Sequence, residues 1–341
     1  MMRGAGLLLI VVAVAALAPG CSSRRAAPNP LTPSVYLDHA LALMRANDIY
    51  AQAVDWPAVT AEAHKMAAKA TTASGTYAAI RYAVNQLNGA GDLHAEFFIT
   101  PEAADAVTGG GGTSPRLVPP TVSLVKGRLG SIVVSGLFAL PQSPNARRYM
   151  LSALSGISSL EAEDHPCGWI VDLRQDDGGL SSPMLLSVGP IIGEGRLLGA
   201  TTRTGSVVWV SYRNSTFSIG GYTYRAPLKV ADLAPSPPVA VLTSQLTGSS
   251  GEAVVVAFRG RPSTRSFGQP TLGKTTGTAL YRLPDGASLF LGISFYTDRD
   301  GTVYKQPIKP DVSFPYTASA NTVERAAEKW LLSTPACSAP H

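Results

Sequence analysis

One stretch of the sequence, residues 238–258, restricts the fold most because it predicts a buried strand, a loop and a helix in direct succession. Residues 239–242 form a short apolar run, which is typical of a strand buried on both faces. A helical pattern begins at residues 249–252 and ends before Gly260. This succession favours an α/β fold, and it places Ser249 where a loop meets the start of a helix.

Two interpretations of Ser249 follow from this position. It can be an ordinary helix cap, because Glu252 three residues later completes a capping-box pattern. It can also be a nucleophile, because the first amides of a helix have no intrahelical partner and lie at the positive end of the helix dipole. Those amides would stabilise an oxyanion that forms beside the serine hydroxyl. The stretch alone leaves both interpretations open.

The overall charge argues against a nucleic-acid partner. The 341 residues include 28 Lys and Arg against 23 Asp and Glu, which gives a formal net charge of +5. No basic cluster or basic-aromatic stripe concentrates this charge, whereas nucleic-acid interfaces need one. With 15% charged and 45% hydrophobic residues, the sequence predicts a globular protein of one large or two small domains.

The first 20 residues have the layout of a signal peptide. Arg3 precedes an apolar run at residues 7–17, which is shorter than the roughly 20 residues that a helix needs to span a bilayer. The sequence Ala-Pro-Gly-Cys that ends at Cys21 resembles a bacterial lipobox, which implies a lipidated Cys21 followed by a tether over residues 21–35. We therefore expect an exported lipoprotein anchored at the outer face of the cytoplasmic membrane. Ordinary secretion, or an uncleaved anchor, is the alternative.

The other two cysteines suggest a disulfide. If Cys21 is lipidated, only Cys167 and Cys337 remain. In the oxidising environment outside the cytoplasm, two leftover cysteines often pair. Our hypothesis is a Cys167–Cys337 bond that ties the C-terminal tail to the core.

The rest of the chain divides into three predicted parts. Residues 36–90 show helical periodicity in three segments and predict an N-terminal helical domain. Residues 91–316 alternate strand and helix patterns, including a hairpin turn at residues 284–286, and predict an α/β core. Residues 317–341 predict a last amphipathic helix, which ends near Leu332, and a tail.

No metal-binding pattern is present in the sequence. The five histidines include no HExxH pair, and the three cysteines include no CxxC pair. A catalytic zinc site is therefore not expected, and neither is any other metal or cofactor.

Residues 268–275 fit the P-loop pattern GxxxxGK[ST] letter for letter. A P-loop needs a buried strand before it and a helix after it, so that amides surround the phosphate at the helix start. Here the polar run at residues 261–266 precedes the segment, and a strand-like run follows it. We therefore expect no nucleotide at this segment.

Several motifs, in order along the chain, resemble those of one family of serine peptidases. They are Trp-Ile-Val-Asp-Leu-Arg ending at Arg174, the pair Gly178-Gly179, Thr-Gly-Ser-Ser-Gly-Glu ending at Glu252, Gly-Gln-Pro-Thr-Leu-Gly-Lys ending at Lys274, and Ile-Lys-Pro-Asp ending at Asp311. The sequence is similar to the S41 peptidases, the family of the C-terminal processing peptidases and the tricorn core protease. It looks most like the branch that contains the nisin resistance protein. The resemblance covers residues 36–315 and implies a ClpP/crotonase-like α/β core with an N-terminal helical bundle cap and no PDZ domain.

The resemblance also implies roles for single residues. Ser249 matches the nucleophile of these peptidases. The backbone amide of Ser250, with that of Gly178 in the Gly178-Gly179 pair, matches the oxyanion hole. Such amides would stabilise the charge that develops on the carbonyl oxygen under attack.

Two residues are candidates for the general base. Lys274 lies 25 residues after the serine, as in the processing peptidases, whereas His94 matches the histidine of the nisin-resistance and tricorn branches. Histidine accepts a proton near neutral pH without help, whereas lysine must first be desolvated. We favour His94, because the helical front end and the lack of an inserted peptide-binding domain between His94 and Gly168 follow the histidine branch.

The sequence departs from the family pattern at two places. Residues 175–177, Gln-Asp-Asp, replace the usual Gly-Asn and a further small residue before the glycine pair, and Leu93 and Ala95 replace a common Gly and Ser beside His94. Neither change removes a catalytic group. We therefore expect an exported serine endopeptidase that acts on peptide or protein substrates. The alternative is a non-catalytic peptide- or lipid-binding lipoprotein on the same fold.

Overall fold

The structure is a computed structural model that describes residues 31–108, 117–231, 233 and 236–338. The expected signal peptide, Cys21 and the tether as far as residue 30 lie outside the described residues. None of the helices that the structure describes is both long enough and apolar enough to cross a membrane.

The helices of the described residues are α1 (Pro33–Asn47), α2 (Trp56–Met66), α3 (Tyr77–Ala90), α4 (Pro101–Thr108), α5 (Pro144–Glu163), α6 (Ser181–Ile192), α7 (Ser250–Phe258), α8 (Ala320–Leu332) and α9 (Pro335–Ser338). The strands are β1 (Glu96–Phe98), β2 (Thr121–Val125), β3 (Leu129–Val133), β4 (Gly168–Asp172), β5 (Gly195–Thr202), β6 (Val207–Arg213), β7 (Thr216–Ile219), β8 (Tyr222–Arg225), β9 (Val239–Thr243), β10 (Thr264–Gly268), β11 (Thr276–Arg282), β12 (Ser288–Thr297), β13 (Val303–Tyr304) and β14 (Val312–Ser313). This mixture of helices and sheets, with helices at the N-terminal end, confirms the predicted fold class.

The chain forms two compact units. The first contains the described residues up to Ala104 together with Gly277–Ser294, and the second contains Asp105–Thr276 together with the described residues from Phe295 onward. The sequence predicts residues 277–294 as part of the α/β core, whereas the structure groups them with the N-terminal helices. Helical periodicity shows which face of a helix is buried, but it does not show which distant segment covers that face.

The first unit is built on the three predicted helices. α1 begins at Pro33, inside the expected tether, because Thr32 is its N-cap and accepts from the Val35 amide, and proline suits a first helical turn. The helices enclose an apolar cluster that includes Tyr36, Met44, Trp56, Ile80, Leu87, Leu289 and Leu291. Leu289 and Leu291 come from β12, so this strand supplies part of the core of the first unit.

A pair of tyrosines attaches the β11–β12 hairpin to the helices. The hydroxyls of Tyr36 and Tyr77 each donate to one oxygen of the Asp285 carboxylate, at 2.6 Å. Asp285 lies in the turn between the two strands, where Leu283 N–H donates to Ala287 O at 2.7 Å. The predicted hairpin is thus present, and its turn residue connects it to α1 and α3.

The second unit is organised around a six-stranded sheet in the order β14-β10-β9-β4-β3-β2. β2 and β3 are antiparallel, and every other neighbouring pair is parallel. β9 is buried along its whole length, as the apolar run in its sequence predicted. Strands at the centre of a parallel sheet are covered on both faces, so their buried runs are continuous.

Helices cover this sheet. α8 packs its Val323, Ala327 and Leu331 against Ile170 and Leu242 in one apolar cluster. The same cluster contains Cys167 and Cys337, which form a disulfide with their Cα atoms 5.0 Å apart. The bond joins the residue before β4 to α9, so the end of the chain is covalently held to the sheet.

α6 has no periodic signal in the sequence from which it could be predicted. All but the first of its residues are buried, so the helix has no polar face that would give a helical period. It packs between α5 and α7 and contains Pro190. β5 to β8 follow it, and each neighbouring pair of these strands is antiparallel.

Residues 264–268 form a strand that their polar sequence did not predict. β10 is a strand that runs directly into Gly268, and its last three residues are buried, although the polar sequence at residues 261–266 argued against a strand there. β10 lies between β9 and β14 in the sheet, and this pairing overrides the polar sequence. The segment after Lys274 is β11 rather than a helix, so the helix start that a P-loop needs is missing.

Candidate active site

Ser249 lies directly before α7, at the end of the loop that follows β9. Its backbone has φ 52° and ψ −114°, in a region that residues other than glycine rarely adopt. A residue held in such a conformation is strained, and strain of this kind is concentrated at functional sites. The serine is partly exposed, whereas Ser250 and the rest of α7 are buried. The structure therefore presents this side chain at a sharp strand-to-helix turn.

The buried carboxylate of Glu252 holds the backbone of this turn. Its Oε2 accepts from the Ser249 amide at 2.9 Å, which is one half of the predicted capping box. Its Oε1 accepts from the Gly273 amide at 2.8 Å and from the Thr271 hydroxyl. Glu252 therefore connects the backbone of Ser249 to the segment that carries Lys274, in addition to capping the helix.

Because Glu252 is buried, the protonation of its carboxyl makes the stability of the folded protein depend on pH. Desolvation raises the pKa of its carboxyl from 4.5 to about 7, against the opposing effect of hydrogen bonds from Thr271, Gly273 and Ser249. The folded protein then binds this proton more tightly than the unfolded chain does. The resulting stabilisation is complete below about pH 4.5 and is lost as the pH rises through about 7.

We expect Glu252→Gln to remove this pH dependence, because the amide stays neutral at every pH. Relative to the variant, the wild-type free energy of unfolding should fall by about 3 kcal/mol as the pH rises through this window. Urea unfolding at several pH values between 4 and 8 measures the difference. Parallel curves for the two proteins would contradict the prediction.

The glycine pair that the sequence analysis singled out lies against Ser249. A Cβ atom added to Gly178 would lie 2.8 Å from Ser249 Cβ and 3.4 Å from Ser249 Oγ, and one added to Gly179 would lie 2.2 Å from Leu137 O. Both glycines have positive φ, 116° and 114°. Only glycine fits at these two positions, because of both the space and the backbone conformation.

We call residues 173–180, which follow β4, the glycine loop, and residues 244–249, which follow β9, the Ser249 loop. Hydrogen bonds join these two loops. The Ser250 hydroxyl donates to Gly179 O at 2.6 Å, and the Gly248 amide donates to Asp176 O at 2.9 Å. Thr247 Oγ1 donates to Leu173 O at 2.8 Å. The residues after β4 and those after β9 therefore form one connected framework at the carboxyl ends of two adjacent parallel strands, where α/β proteins place their sites.

The amides of this framework differ in their partners. The Gly178 N–H, expected as an oxyanion donor, donates to Asp176 Oδ1 at 3.1 Å. Within the described residues, the N–H groups of Gly179 and Ser250 donate to no acceptor. The first N–H groups of a helix lack an intrahelical acceptor, so the Ser250 amide is free to bind a ligand oxygen.

His94 belongs to the first unit. It lies in a tight turn before β1, in which Asp92 Oδ1 accepts from the His94 amide at 3.0 Å. Asp92 Oδ2 accepts from the Gly292 amide at 2.8 Å, which attaches the turn to β12. The residue as a whole is 8% exposed, and its ring packs edge-on against Phe290. The histidine therefore has a fixed backbone and an aromatic neighbour within its own unit.

Lys274 belongs to the second unit, in the segment between β10 and β11. Its side chain is partly exposed. The described residues offer its ammonium group neither a hydrogen bond nor an ion pair. A lysine base should be buried and bonded to the serine that it activates, so this environment does not favour Lys274 as the base.

Two residues form hydrogen bonds at this site that the sequence did not predict. Asp176 bonds the Gly178 amide, and the short Asp-x-Gly pattern could have indicated this local turn. Thr271 bonds Glu252 from 19 residues away, and no local pattern marks such a pair. Across the described residues, no group of three or more His, Cys, Asp or Glu side chains is arranged to hold a metal ion.

Comparisons with known sequences agree with the motifs. Residues 130–314, more than half of the chain, match the family described as Peptidase family S41. The nisin-resistance protein of Lactococcus lactis subsp. lactis is 32% identical over 169 residues, which cover 49% of this chain and 50% of that protein. The carboxyl-terminal-processing protease of Synechocystis sp. is 26% identical over 197 residues, which cover 57% of this chain and 41% of that protein. The chain thus spans about half the length of these curated relatives, or less.

Solved structures share the fold over most of the chain. A lipoprotein from Streptococcus agalactiae is similar with a TM-score of 0.69 at 22% identity, covering 90% of this chain and 98% of that one. The photosystem II D1 C-terminal processing protease is similar with a TM-score of 0.58 at 15% identity, covering 88% of this chain and 98% of that one. At these identities the likeness concerns the fold.

Proposed function

Because the chain belongs to peptidase family S41, we propose that it is an active serine endopeptidase with Ser249 as the nucleophile and His94 as the general base. The observation that carries this proposal is the conformation of Ser249, a partly exposed serine at positive φ, at the start of a helix and against the glycine loop. A serine that only capped a helix would need neither the strained backbone nor the two glycines beside it.

The proposed reaction follows the chemistry of an activated serine. Ser249 Oγ attacks the carbonyl carbon of the scissile peptide while His94 takes its proton, and His94 then gives that proton to the leaving amine. Water hydrolyses the acyl-enzyme in the same way. The amides of Ser250 and Gly179 stabilise the oxyanion, and Gly178 shapes the loop that presents them. We propose no metal or cofactor for this reaction.

His94 is preferred to Lys274 for two reasons. Histidine titrates near neutral pH, so it is ready to accept a proton without further arrangement. The Lys274 side chain is partly exposed, and the described residues offer its ammonium group neither a hydrogen bond nor an ion pair that would orient it. We therefore favour His94. A dyad of Ser249 and Lys274 is the alternative that the labelling experiment below distinguishes.

We also propose that the protein is exported and anchored at the outer face of the cytoplasmic membrane through a lipidated Cys21. The disulfide between Cys167 and Cys337 supports an oxidising compartment, because such bonds are rare in the cytosol. The substrates proposed are peptides or proteins in that compartment. Labelling cells with a radioactive fatty acid tests the anchor, and label that persists in Cys21→Ser would contradict it.

Covalent labelling of the full chain with a fluorophosphonate probe tests the proposed chemistry. Wild type should label, Ser249→Ala should lose labelling completely, and His94→Ala should slow it by about 100- to 10,000-fold. Lys274→Ala should label at close to the wild-type rate. His165→Ala is the matched control, because His165 is an exposed histidine of the second unit that the proposal does not use.

Each other result has a definite meaning. Loss of labelling in Lys274→Ala with retention in His94→Ala would move the base to the lysine. Folded wild type that never labels would contradict the peptidase proposal and favour a non-catalytic peptide- or lipid-binding role. Circular dichroism of every variant shows whether it is folded.

A further inference from the structure

We propose that Asp176 is a positioning residue of the glycine loop, and that it holds the Gly178 amide through Oδ1 as an uncharged carboxylic acid. This inference rests on the proposed function, because the glycine loop matters for catalysis only if Ser249 is the nucleophile. It gives a role to one of the residues at which the sequence departs from the family pattern.

Asp176 is enclosed by both loops of the candidate site. Its side chain is 0% exposed, and its Oδ1 accepts from the Gly178 amide at 3.1 Å. Its backbone oxygen accepts from Gly248, next to the nucleophile. A Cβ added to Gly251 would lie 2.9 Å from Asp176 Cγ and 3.0 Å from Oδ1, so the carboxyl packs directly on the first turn of α7. One side chain thus contacts the glycine loop and the helix that Ser249 begins.

The surroundings of this carboxyl do not support a charge. Its Oδ2 is buried and has no hydrogen-bond partner among the described residues, and none of their arginine or lysine side chains pairs with it. The titratable groups that face it are Asp177 in its own loop and Tyr149 of α5. The Tyr149 hydroxyl donates to Ser135 O instead, and Gly251 of α7 packs against the carboxyl. An unpaired buried charge would be very costly here.

The direction of the pKa agrees with this geometry. Burial raises the pKa of the Asp176 carboxyl well above its ordinary value, the Gly178 bond partly opposes that rise, and the nearby Asp177 adds to it. This direction favours the protonated, uncharged acid, in agreement with the buried and unpaired Oδ2.

An uncharged acceptor suits this place for an electrostatic reason. Gly178 packs against Ser249, so a carboxylate bound to Gly178 would place a negative charge close to the developing oxyanion and oppose it. A neutral acid still accepts from the Gly178 N–H, and it fixes that peptide plane without adding charge. The loop then keeps the conformation that leaves the Gly179 and Ser250 amides available.

Three variants of the full chain separate the possible roles of Asp176. Asp176→Asn keeps an oxygen acceptor and is neutral at every pH, whereas Asp176→Leu has a similar shape and no acceptor. Asp177→Asn is the matched control, because it removes one carboxylate from the same loop at an exposed position. We would measure the rate of fluorophosphonate labelling between pH 6 and 9, together with deuterium exchange of the peptide that covers residues 173–180.

We expect asparagine at position 176 to preserve the labelling rate and leucine at the same position to lower it. Asp176→Asn and Asp177→Asn should label within about threefold of wild type and show the same pH profile, whereas Asp176→Leu should label at least about tenfold more slowly. Exchange in residues 173–180 should be about tenfold faster in Asp176→Leu and unchanged in Asp176→Asn, because only leucine leaves the Gly178 amide without its acceptor.

Two results would overturn the proposal. A loss of tenfold or more in Asp176→Asn would show that the negative charge is required, and wild-type behaviour of Asp176→Leu in both measurements would show that the bond to Gly178 positions nothing. If wild type itself fails to label, the proposed function fails, and the exchange rates alone decide whether Asp176 holds the loop.

Discussion

Gly178→Ala should slow fluorophosphonate labelling of Ser249 by about 100-fold while the chain stays folded. The new methyl group would lie 2.8 Å from Ser249 Cβ, closer than nonbonded carbon atoms approach, and 3.2 Å from Gly248 O, which is a tight contact. It would also sit at φ 116°, where side chains are strained. The loop or the serine must then move by a few tenths of an ångström to an ångström, and displacements of this size are enough to separate a nucleophile from its oxyanion donors.

Gly195→Ala is the control for this experiment. Gly195 has φ 125°, close to that of Gly178, but a Cβ added there meets no atom within 4 Å. Both variants should lose about 1–3 kcal/mol of stability from backbone strain, as measured by urea unfolding. Only Gly178→Ala should lose labelling. Equal labelling rates in the two variants would show that the contact between Gly178 and Ser249 has no part in the chemistry.

Removal of the disulfide should have the largest effect on stability. Cys167 and Cys337 are 170 residues apart in the sequence, so their bond closes a long loop of the unfolded chain. The chain-entropy relation gives about 5 kcal/mol as the upper limit for a loop of this length, and measured losses for native disulfides are about 2–5 kcal/mol. We expect the Cys167→Ala and Cys337→Ala double variant to lose about 4 kcal/mol, a large part of the stability of an ordinary domain.

Reductant supplies the matched comparison. Wild type in the presence of a phosphine reductant should unfold at about the same urea concentration as the double variant, and the double variant should not respond to reductant. Cys337 is 1% exposed and packs with Val323, Ala327 and Leu331 of α8, so loss of the bond should first release the end of the chain from the sheet. Unchanged wild-type stability under reducing conditions would contradict the prediction.

The sequence predicted the individual helices, strands and turns of this protein better than it predicted which of them pack together. The strand–loop–helix at Ser249, the helices between residues 36 and 90 and the hairpin at residues 284–286 are all present. Each of them is marked by local signals, namely apolar periodicity, capping residues and turn residues. α6 was missed for the same physical reason, because a helix that is buried on all sides shows no periodicity. β10 was misread because a polar sequence can still form a strand when a sheet supplies both neighbours.

The candidate site shows the same division. The resemblance to one peptidase family was visible in the motifs, and it indicated the proposed nucleophile, the glycine pair and two candidates for the base. The roles of Asp176 and Glu252 depend on partners that are distant in the sequence. Asp176 contacts Gly248 and Gly251, which are more than 70 residues away in the sequence. Glu252 contacts Thr271 and Gly273, which lie in the segment between β10 and β11.

The sequence by itself therefore determined the family, the fold class and the position of Ser249 at a helix start, because hydrogen bonding and solvation along one segment leave a local pattern. Only the tertiary structure decided that Ser249 is strained, that Gly178 packs against it, and that two buried carboxyls hold the loops around it. Contacts of this kind depend on close packing between distant segments. Packing is fixed by the shapes of all the neighbours together and leaves no periodicity in any one of them.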